Sequence, residues 1–258
     1  MQPFSASYIY KFTFLVCLGC SLMISFAAVS LRAPQERNKK LDRQRSVLQA
    51  AWLIKPGEKV SAARVQELYT KYIEPRIVDL ATGEYVDMPV DSFDPEKVEK
   101  KPAPENPAQV KEIPKYAEVF LVKDDAGKVS MVVLPIVGKG LWSTMRGFFA
   151  LDADGSTIRG LTYYEQGETP GLGGEVENPL WKSLWPGRRA FDEQGNVKIE
   201  VIKGHAGPVD SDPYHVDGLS GATITSRGVT SMLHFWLGEN GFKPFLEKFK
   251  ATSKTGRA

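Results

Sequence analysis

The rhythm of hydrophobic and polar positions changes several times along the chain, and each change predicts a different element. From Phe12 to Leu31 no residue carries a charge, and Phe14, Leu15, Val16, Leu18, Leu22, Met23, Ile24 and Phe26 leave no polar face. As a helix this run is about 30 Å long, the thickness of a bilayer core. From Asn38 to Leu53 the apolar positions Leu41, Val47, Leu48, Ala51 and Trp52 recur among charges, which predicts a helix continuing from the membrane as a stalk. Ser61 then offers an N-cap to a short amphipathic helix carrying Val65, Leu68, Tyr69 and Tyr72, with Pro75 as its stop. Between Met88 and Pro114, the prolines 89, 95, 102, 104, 107 and 114 among many charges read as a linker or a draped surface loop without a packed element.

From Ala117 the period shortens to that of strands. Val119 to Val122 and Val129 to Val137 flank Asp124-Asp125-Ala126-Gly127, and Gly147 to Leu151 and Thr157 to Tyr164 flank Asp154-Gly155; both predict hairpins, with Asp152 and Asp154 as turn residues rather than metal ligands. Asn178-Pro179 opens a short helix with Leu180, Trp181, Leu184 and Trp185. Val197 to Ile202 reads as a strand. A helix from about Ser226 to Leu237 shows Val229, Met232, Leu233 and Trp236 at helical spacing, stops at Gly238 and packs one face on the sheet. The expected architecture is α+β: a single N-terminal transmembrane helix followed by a compact mixed domain, not alternating βαβ units. The expected boundaries are 1–11 for a cytoplasmic N-terminus, 12–31 for the transmembrane helix, 32–115 for stalk and Pro-rich linker, 116–250 for the domain and 251–258 for a tail.

Composition changes this picture little. The net charge is +2 and no dense basic block alternates with aromatics, which argues against nucleic acid as a partner. For the apolar run, a retained anchor is preferred to a cleavable signal peptide, because only Lys11 serves as a basic leader and the run exceeds a usual signal core. A lipoprotein reading rests on Leu18-Gly19-Cys20, with Cys17 where a branched aliphatic residue is expected. Both cysteines lie inside the apolar run, away from any polar setting for metal or redox chemistry. Arg32, Arg37, Lys39, Lys40, Arg43 and Arg45 outnumber Lys11, so the positive-inside rule alone puts the main domain in the cytoplasm.

Two segments can carry chemistry. Gly167 to Glu175 reads Gly-Glu-Thr-Pro-Gly-Leu-Gly-Gly-Glu, a loop whose backbone amides lie close to hand; alone it is equally a plain connection. Asp217 to Ser226 reads Asp-Gly-Leu-Ser-Gly-Ala-Thr-Ile-Thr-Ser directly before a helix, a natural phosphate site, although Thr225 or Ser226 also serves simply as a helix cap. No Gly-Lys-[Ser/Thr] follows, so this is no nucleoside triphosphate loop. Gly218 to Ala222 approaches a nucleophile elbow but lacks its last glycine. His205 and His215 have no partner at a metal-ligand spacing, and His234 belongs to the helix as a structural residue; no metal is expected.

Ser220-Gly221-Ala222-Thr223, with Asp217 upstream, resembles the flavinylation motif of the FMN-binding domain family. Gly138 to Ser143, Tyr163-Tyr164-Glu165 and Gly167 to Glu175 resemble the branch of that family formed by the C subunits of sodium-translocating NADH:quinone reductases, more than the related G subunits of ion-translocating electron-transport complexes. The resemblance implies covalent FMN, moved from FAD by a flavin transferase onto the Thr223 hydroxyl as a phosphoester. It implies a single-pass protein of the bacterial inner membrane with the flavin on the periplasmic side, against the charge count. The sister subunits of the complex are the implied partners, with NADH as donor, ubiquinone as acceptor and sodium as the pumped ion. The chain alone is expected to oxidise no NADH, having no Gly-x-Gly-x-x-Gly after a strand. No catalytic acid or base is expected. Around Thr223, Gly221 and Ala222 allow close approach beside Ser220, Thr225 and Ser226 donate to phosphate, and Asp217 assists transfer. Gly140, Leu141, Trp142 and Ser143 with Glu168, Thr169, Pro170, Gly171, Leu172 and Gly173 shape the ring pocket, Trp142 being equally a core candidate. The competing classes are a hydrolase using Ser220 and a non-redox anchored binding module.

Overall fold

The computed structural model of the chain describes residues 5–95 and 97–254. The first element, α1 (Ala6–Ala50), is a single helix that runs through Pro34. Its apolar stretch is exposed and long enough to cross a membrane. The chain divides into two compact units, one ending at Asp42 and one beginning at Arg43.

In the second unit, the last turns of α1 bury Val47, Leu48 and Ala50, and the chain leaves the helix through Trp52 at φ 56°. Helix α2 (Ala62–Tyr72) starts where expected, the Ser61 hydroxyl accepting the Arg64 N–H at 3.3 Å. It ends before Pro75, which lies inside strand β1 (Ile73–Asp79), a strand that the sequence pattern does not announce. Pro75 is tolerated because β2 (Tyr85–Val86) pairs only with Ile77 and Val78, so β1 has an open edge where the missing N–H falls. The Pro-rich stretch is packed and not a linker. After a 3-10 turn at Val90–Ser92, strands β3 (Lys100–Pro102) and β4 (Glu112–Pro114) form an antiparallel ribbon that sends Ala108, Val110 and Ile113 into the core. Local composition concealed these anchors because each apolar residue stands singly among prolines and charges.

The predicted hairpins are present as β5 (Tyr116–Lys123) with β6 (Val129–Lys139), and β7 (Thr144–Asp152) with β8 (Ile158–Glu165). Gly127 and Gly155 supply the positive φ of their turns, and the Asp154 carboxylate accepts the N–H groups of Ser156 and Thr157. All pairings in the main sheet are antiparallel, in the order β2-β1-β5-β6-β7-β8. Both faces are covered, which explains the nearly continuous apolar strands. Val119, Leu121, Leu134, Phe149 and Leu161 face one cluster, and the alternating Phe120 and Phe148 lie on the other face with Tyr69 of α2.

Asn178 caps α3 (Pro179–Lys182) through the Leu180 N–H, and Trp181 and Trp185 are buried behind it. The strand expected over 197–202 shrinks to β9 (Glu200–Val201), paired in parallel with β10 (His215–Val216). Helix α4 (Thr223–Leu237) starts earlier than expected and lies on the sheet through Met232, Leu233 and Trp236, with Met232 against Gly138 of β6. A further helix, α5 (Lys243–Lys254), covers the same face with Phe245, Leu246 and Phe249, so the expected tail begins inside a helix.

Phe149 is fully buried and its ring meets Trp185 edge-on at 6.4 Å. Phe149→Ala should therefore cost ~3–5 kcal/mol in urea denaturation of the detergent-solubilised chain. Leu180→Ala, at a side chain 77% exposed, should change stability by less than about 0.5 kcal/mol.

Candidate functional site

Three segments distant in sequence meet at one carboxylate. Glu168 follows β8 and is only 5% exposed. Its Oε1 accepts the Trp142 N–H at 3.0 Å, the Ser143 N–H at 2.9 Å and the Ser143 hydroxyl at 2.9 Å; its Oε2 accepts the Leu141 N–H at 3.0 Å and the Thr225 hydroxyl at 2.7 Å. The β6–β7 turn, the loop after β8 and the first turn of α4 are thereby tied together. Burial works against the Glu168 charge, but the Thr225, Leu141 and Ser143 hydrogen bonds outweigh it and hold the carboxyl below its usual range. Glycines make room for the knot: a Cβ on Gly140 would sit 2.6 Å from Glu168 Oε1, and one on Gly173 would sit 2.6 Å from Thr225 Oγ1 and 2.8 Å from Glu168 Oε2.

The loop after β8 is built from a turn in which Thr169 O accepts the Leu172 and Gly174 N–H groups, with Pro170 and Gly171 (φ 75°) at its centre, the arrangement that a type II turn demands. Thr169, Pro170, Gly171 and Leu172 are exposed, and Leu172 reaches the other loop, its Cδ2 lying 2.9 Å from where a Gly221 Cβ would be.

A second turn forms the start of α4. Leu219 O accepts the Ala222 N–H at 3.1 Å across Ser220 and Gly221, whose φ of 71° explains the glycine. The Leu219 N–H donates to the Ser226 hydroxyl at 3.1 Å and closes the loop from behind. Ala222 is the N-cap and supplies no side-chain cap. Thr223 is the first helical residue and is exposed, beside the exposed Ile224, and the first-turn amides have no partner inside the helix. The expectation that Thr225 or Ser226 caps the helix is therefore overturned. The expectation that they face a phosphate is also revised, because both are buried with their hydroxyls engaged on Glu168 and on the Leu219 N–H.

Glu168 and Ser143 likewise serve as scaffold instead of pocket lining: besides donating to Glu168, the Ser143 hydroxyl accepts the Gly167 N–H at 2.9 Å. Trp142 is 72% exposed and is no core residue, and Leu141 is exposed beside it. Asp217 stands apart from the knot. Its Oδ2 meets His205 Nδ1 at 2.7 Å, its Oδ1 accepts the Ala206 N–H at 2.9 Å, and its backbone carbonyl accepts the Trp181 indole N–H at 2.8 Å. Burial opposes its charge, yet the His205 and Ala206 hydrogen bonds keep the carboxyl below its usual range. Sequence reasoning missed these three partners because only the fold brings them to Asp217.

His215 binds Asp212 at 2.6 Å, and His234 Nε2 lies 2.9 Å from Ile199 O, as expected of a structural residue. Among the described residues no histidine is hydrogen-bonded to Ser220, so the hydrolase reading finds no formed nucleophile–base pair. Among the described residues no group of three or more His, Cys, Asp or Glu is placed to hold a metal ion.

Residues 140–238 match the family model of the FMN-binding domain. The chain is 46% identical over 244 residues to the C subunit of the Na(+)-translocating NADH-quinone reductase of Yersinia pestis, covering 92% of this chain and 90% of that protein. It is 48% identical to the protein of the same name from Haemophilus ducreyi, over 93% of this chain and 92% of the relative. Among solved structures, Shewanella oneidensis NqrC matches with a TM-score of 0.75 at 37% identity, over 83% of this chain and 99% of that one. The corresponding Na(+)-translocating NADH-quinone reductase protein from Parabacteroides distasonis matches with a TM-score of 0.64 at 30% identity, over 84% of this chain and 96% of that one. With likeness extending over nine-tenths of its length and an FMN-binding domain spanning all three segments of the knot, the chain belongs to the family of Na(+)-translocating NADH-quinone reductase C subunits.

Proposed function

We propose that this chain is the FMN-carrying electron-transfer subunit of a membrane complex that oxidises NADH, reduces ubiquinone and translocates sodium, and that FMN is held as a phosphoester on Thr223. The observation that carries the reading is the exposed Thr223, the first residue of a helix without a side-chain cap, beside the tied loops. These residues fit the group. The open first-turn amides and the helix dipole suit a phosphate, and the exposed side chains of Leu141, Trp142, Leu172 and Ile224 suit an aromatic ring system. Bound there, FMN supplies the electron-transfer chemistry that no side chain of this chain offers.

The protein's own contribution is placement. The Glu168 knot fixes the backbone of 140–143 and 168–173 against the start of α4, and Gly221 lets the turn before Thr223 close. Attachment from FAD forms a bond between Thr223 Oγ and the FMN phosphorus, breaks the pyrophosphate P–O bond, releases AMP and frees the hydroxyl proton. A flavin transferase is the proposed maturation partner, and the other subunits of the complex are the redox partners. NADH oxidation belongs to the complex and not to this chain alone. The apolar stretch of α1 anchors the chain by a single pass in the bacterial inner membrane, with the flavin domain on the periplasmic side. A long domain can cross despite flanking positive charges, which weakens the charge rule for a single anchor.

Gel fluorescence and intact mass test this reading. Co-expressed with a flavin transferase, the wild-type chain should run as a fluorescent band on a denaturing gel and carry the added mass of FMN less water. Thr223→Ala should lose both signals and Ser220→Ala should keep them; a dark wild-type band from folded protein would transfer the weight to a non-redox binding module. Glu168→Gln should destabilise the purified chain by ~2–4 kcal/mol at neutral pH, because an NH2 donor replaces one accepting oxygen and leaves the N–H and O–H groups facing it without an acceptor. The folded Glu168 carboxyl lies below its ordinary value of 4.5. Its stabilisation is therefore present above that pH and disappears as pH falls through the folded value. Urea midpoints measured from acid to neutral pH should fall more steeply on acidification in the wild type than in Glu168→Gln, which keeps only the acid loss due to other low-lying carboxyls such as Asp217.

A further inference from the structure

The motif acid Asp217 does not spend its carboxylate on the attachment threonine. Its two oxygens are taken by consecutive residues of one turn, Oδ2 by the His205 imidazole at 2.7 Å and Oδ1 by the Ala206 N–H at 2.9 Å. The backbone reinforces this seam. The Gly218 N–H donates to Gly204 O at 2.9 Å, and a Cβ on Gly218 would stand 2.3 Å from Ile202 O, so the 202–206 and 217–218 backbones touch with no room for a side chain. From that seam the chain runs directly into the Leu219–Ala222 turn and Thr223.

Of the contacts at this seam, His205 is the exposed one. Its side chain is 92% accessible while that of Asp217 is 22% accessible. An ionised carboxylate only accepts hydrogen bonds, so the imidazole carries its proton on Nδ1 and donates. Exposed imidazoles ordinarily keep rotamer freedom. This one is held by a charge-assisted hydrogen bond to the residue that begins the attachment segment.

We propose that His205 is a positioning residue for flavin attachment: by clasping Asp217 it holds the 217–223 segment in the shape on which the flavin transferase acts. This rests on the reading of Thr223 as the attachment site. The role is played through Asp217, and His205 itself touches no reacting atom. Its loss leaves Asp217 with the Ala206 N–H and lets the segment sample other shapes. A substrate segment that is competent only part of the time binds with an affinity reduced by that fraction, while the chemistry of the bound form is unchanged.

The test measures FMN incorporation into the purified full-length chain by a flavin transferase supplied with FAD, read as in-gel fluorescence against chain concentration. His205→Ala should raise the KM for the chain about fivefold and leave kcat within about twofold, as a population effect requires. His205→Asn, which keeps an N–H close to the Nδ1 position, should restore KM to within about twofold of wild type. Thermal midpoints of the variants should stay together, which separates positioning from general loss of fold. An unchanged KM in His205→Ala, a fall confined to kcat, or an Asn variant as poor as Ala would each overturn the clasp. If the wild-type chain itself takes up no FMN, the attachment reading fails first and independently of His205.

Discussion

A carboxylate nearly sealed from water must be satisfied by its surroundings, and in this fold the satisfaction of Glu168 dictates the shape of the site. Its donors are three backbone N–H groups and two hydroxyls, drawn from the β6–β7 turn and the first turn of α4. Amides and hydroxyls can neutralise a buried charge only at short range and in good geometry, so each loop has little freedom once the carboxylate is in place. The glycines follow from the same constraint. Gly140 and Gly173 stand where a Cβ would collide with the carboxylate or with its Thr225 donor. The glycine-rich texture that suggests closely presented backbone amides in the 167–175 loop is thus, at Gly173, space cleared for side chains of the protein itself, as it is at Gly140.

This arrangement sorts residues of similar sequence character into opposite roles. Thr223 and Thr225 are two positions apart on α4, yet one is exposed and the other lies 1% exposed against Glu168. A helix turns by about 100° per residue, so the pair fall on opposite sides, and the side that binds the knot cannot also face a ligand. Leu141 and Trp142 show the same division within single residues. Their amides are fixed on Glu168 while their side chains project outward as an apolar platform.

What could be read from the sequence was what local chemistry determines. The Asp154-Gly155 turn, the Asn178-Pro179 helix start and the apolar run from Phe12 to Leu31 each announce themselves within a few residues. Elements held by distant partners were hidden. The β3–β4 ribbon depends on Ala108 and Ile113 reaching a core that their prolines and charges do not suggest, and β1 exists because β5 pairs with all of it. The start of α4 was misplaced for a related reason: Thr225 and Ser226 have the chemistry of caps, but Glu168 and Leu219 compete for their hydroxyls and win. For the site, resemblance directed attention to loops that the fold brings together at Glu168, whereas the different environments of Glu168, Ser143, Thr225 and Thr223 required the fold.

An exposed platform is a poor non-covalent site, because small-molecule pockets normally enclose most of their ligand. A cleft of about 660 Å³ lies along Arg76, Tyr85, Leu121 and Phe245, and shares no residue with the loops around Thr223. The segment around Thr223 instead presents an open turn, an open helix start and outward-facing side chains. Burial contributes little to holding a ligand there, and the covalent phosphoester proposed for Thr223 would make burial unnecessary. The same openness has a use in a relay. Electrons must pass to and from other subunits, and a flavin on a platform can be approached by a partner surface where one sealed in a core could not. On the proposed reading the tied loops below and the open platform above are two sides of one solution: the carboxylate holds the loops in place, and a flavin tethered to Thr223 would need no enclosure to be placed.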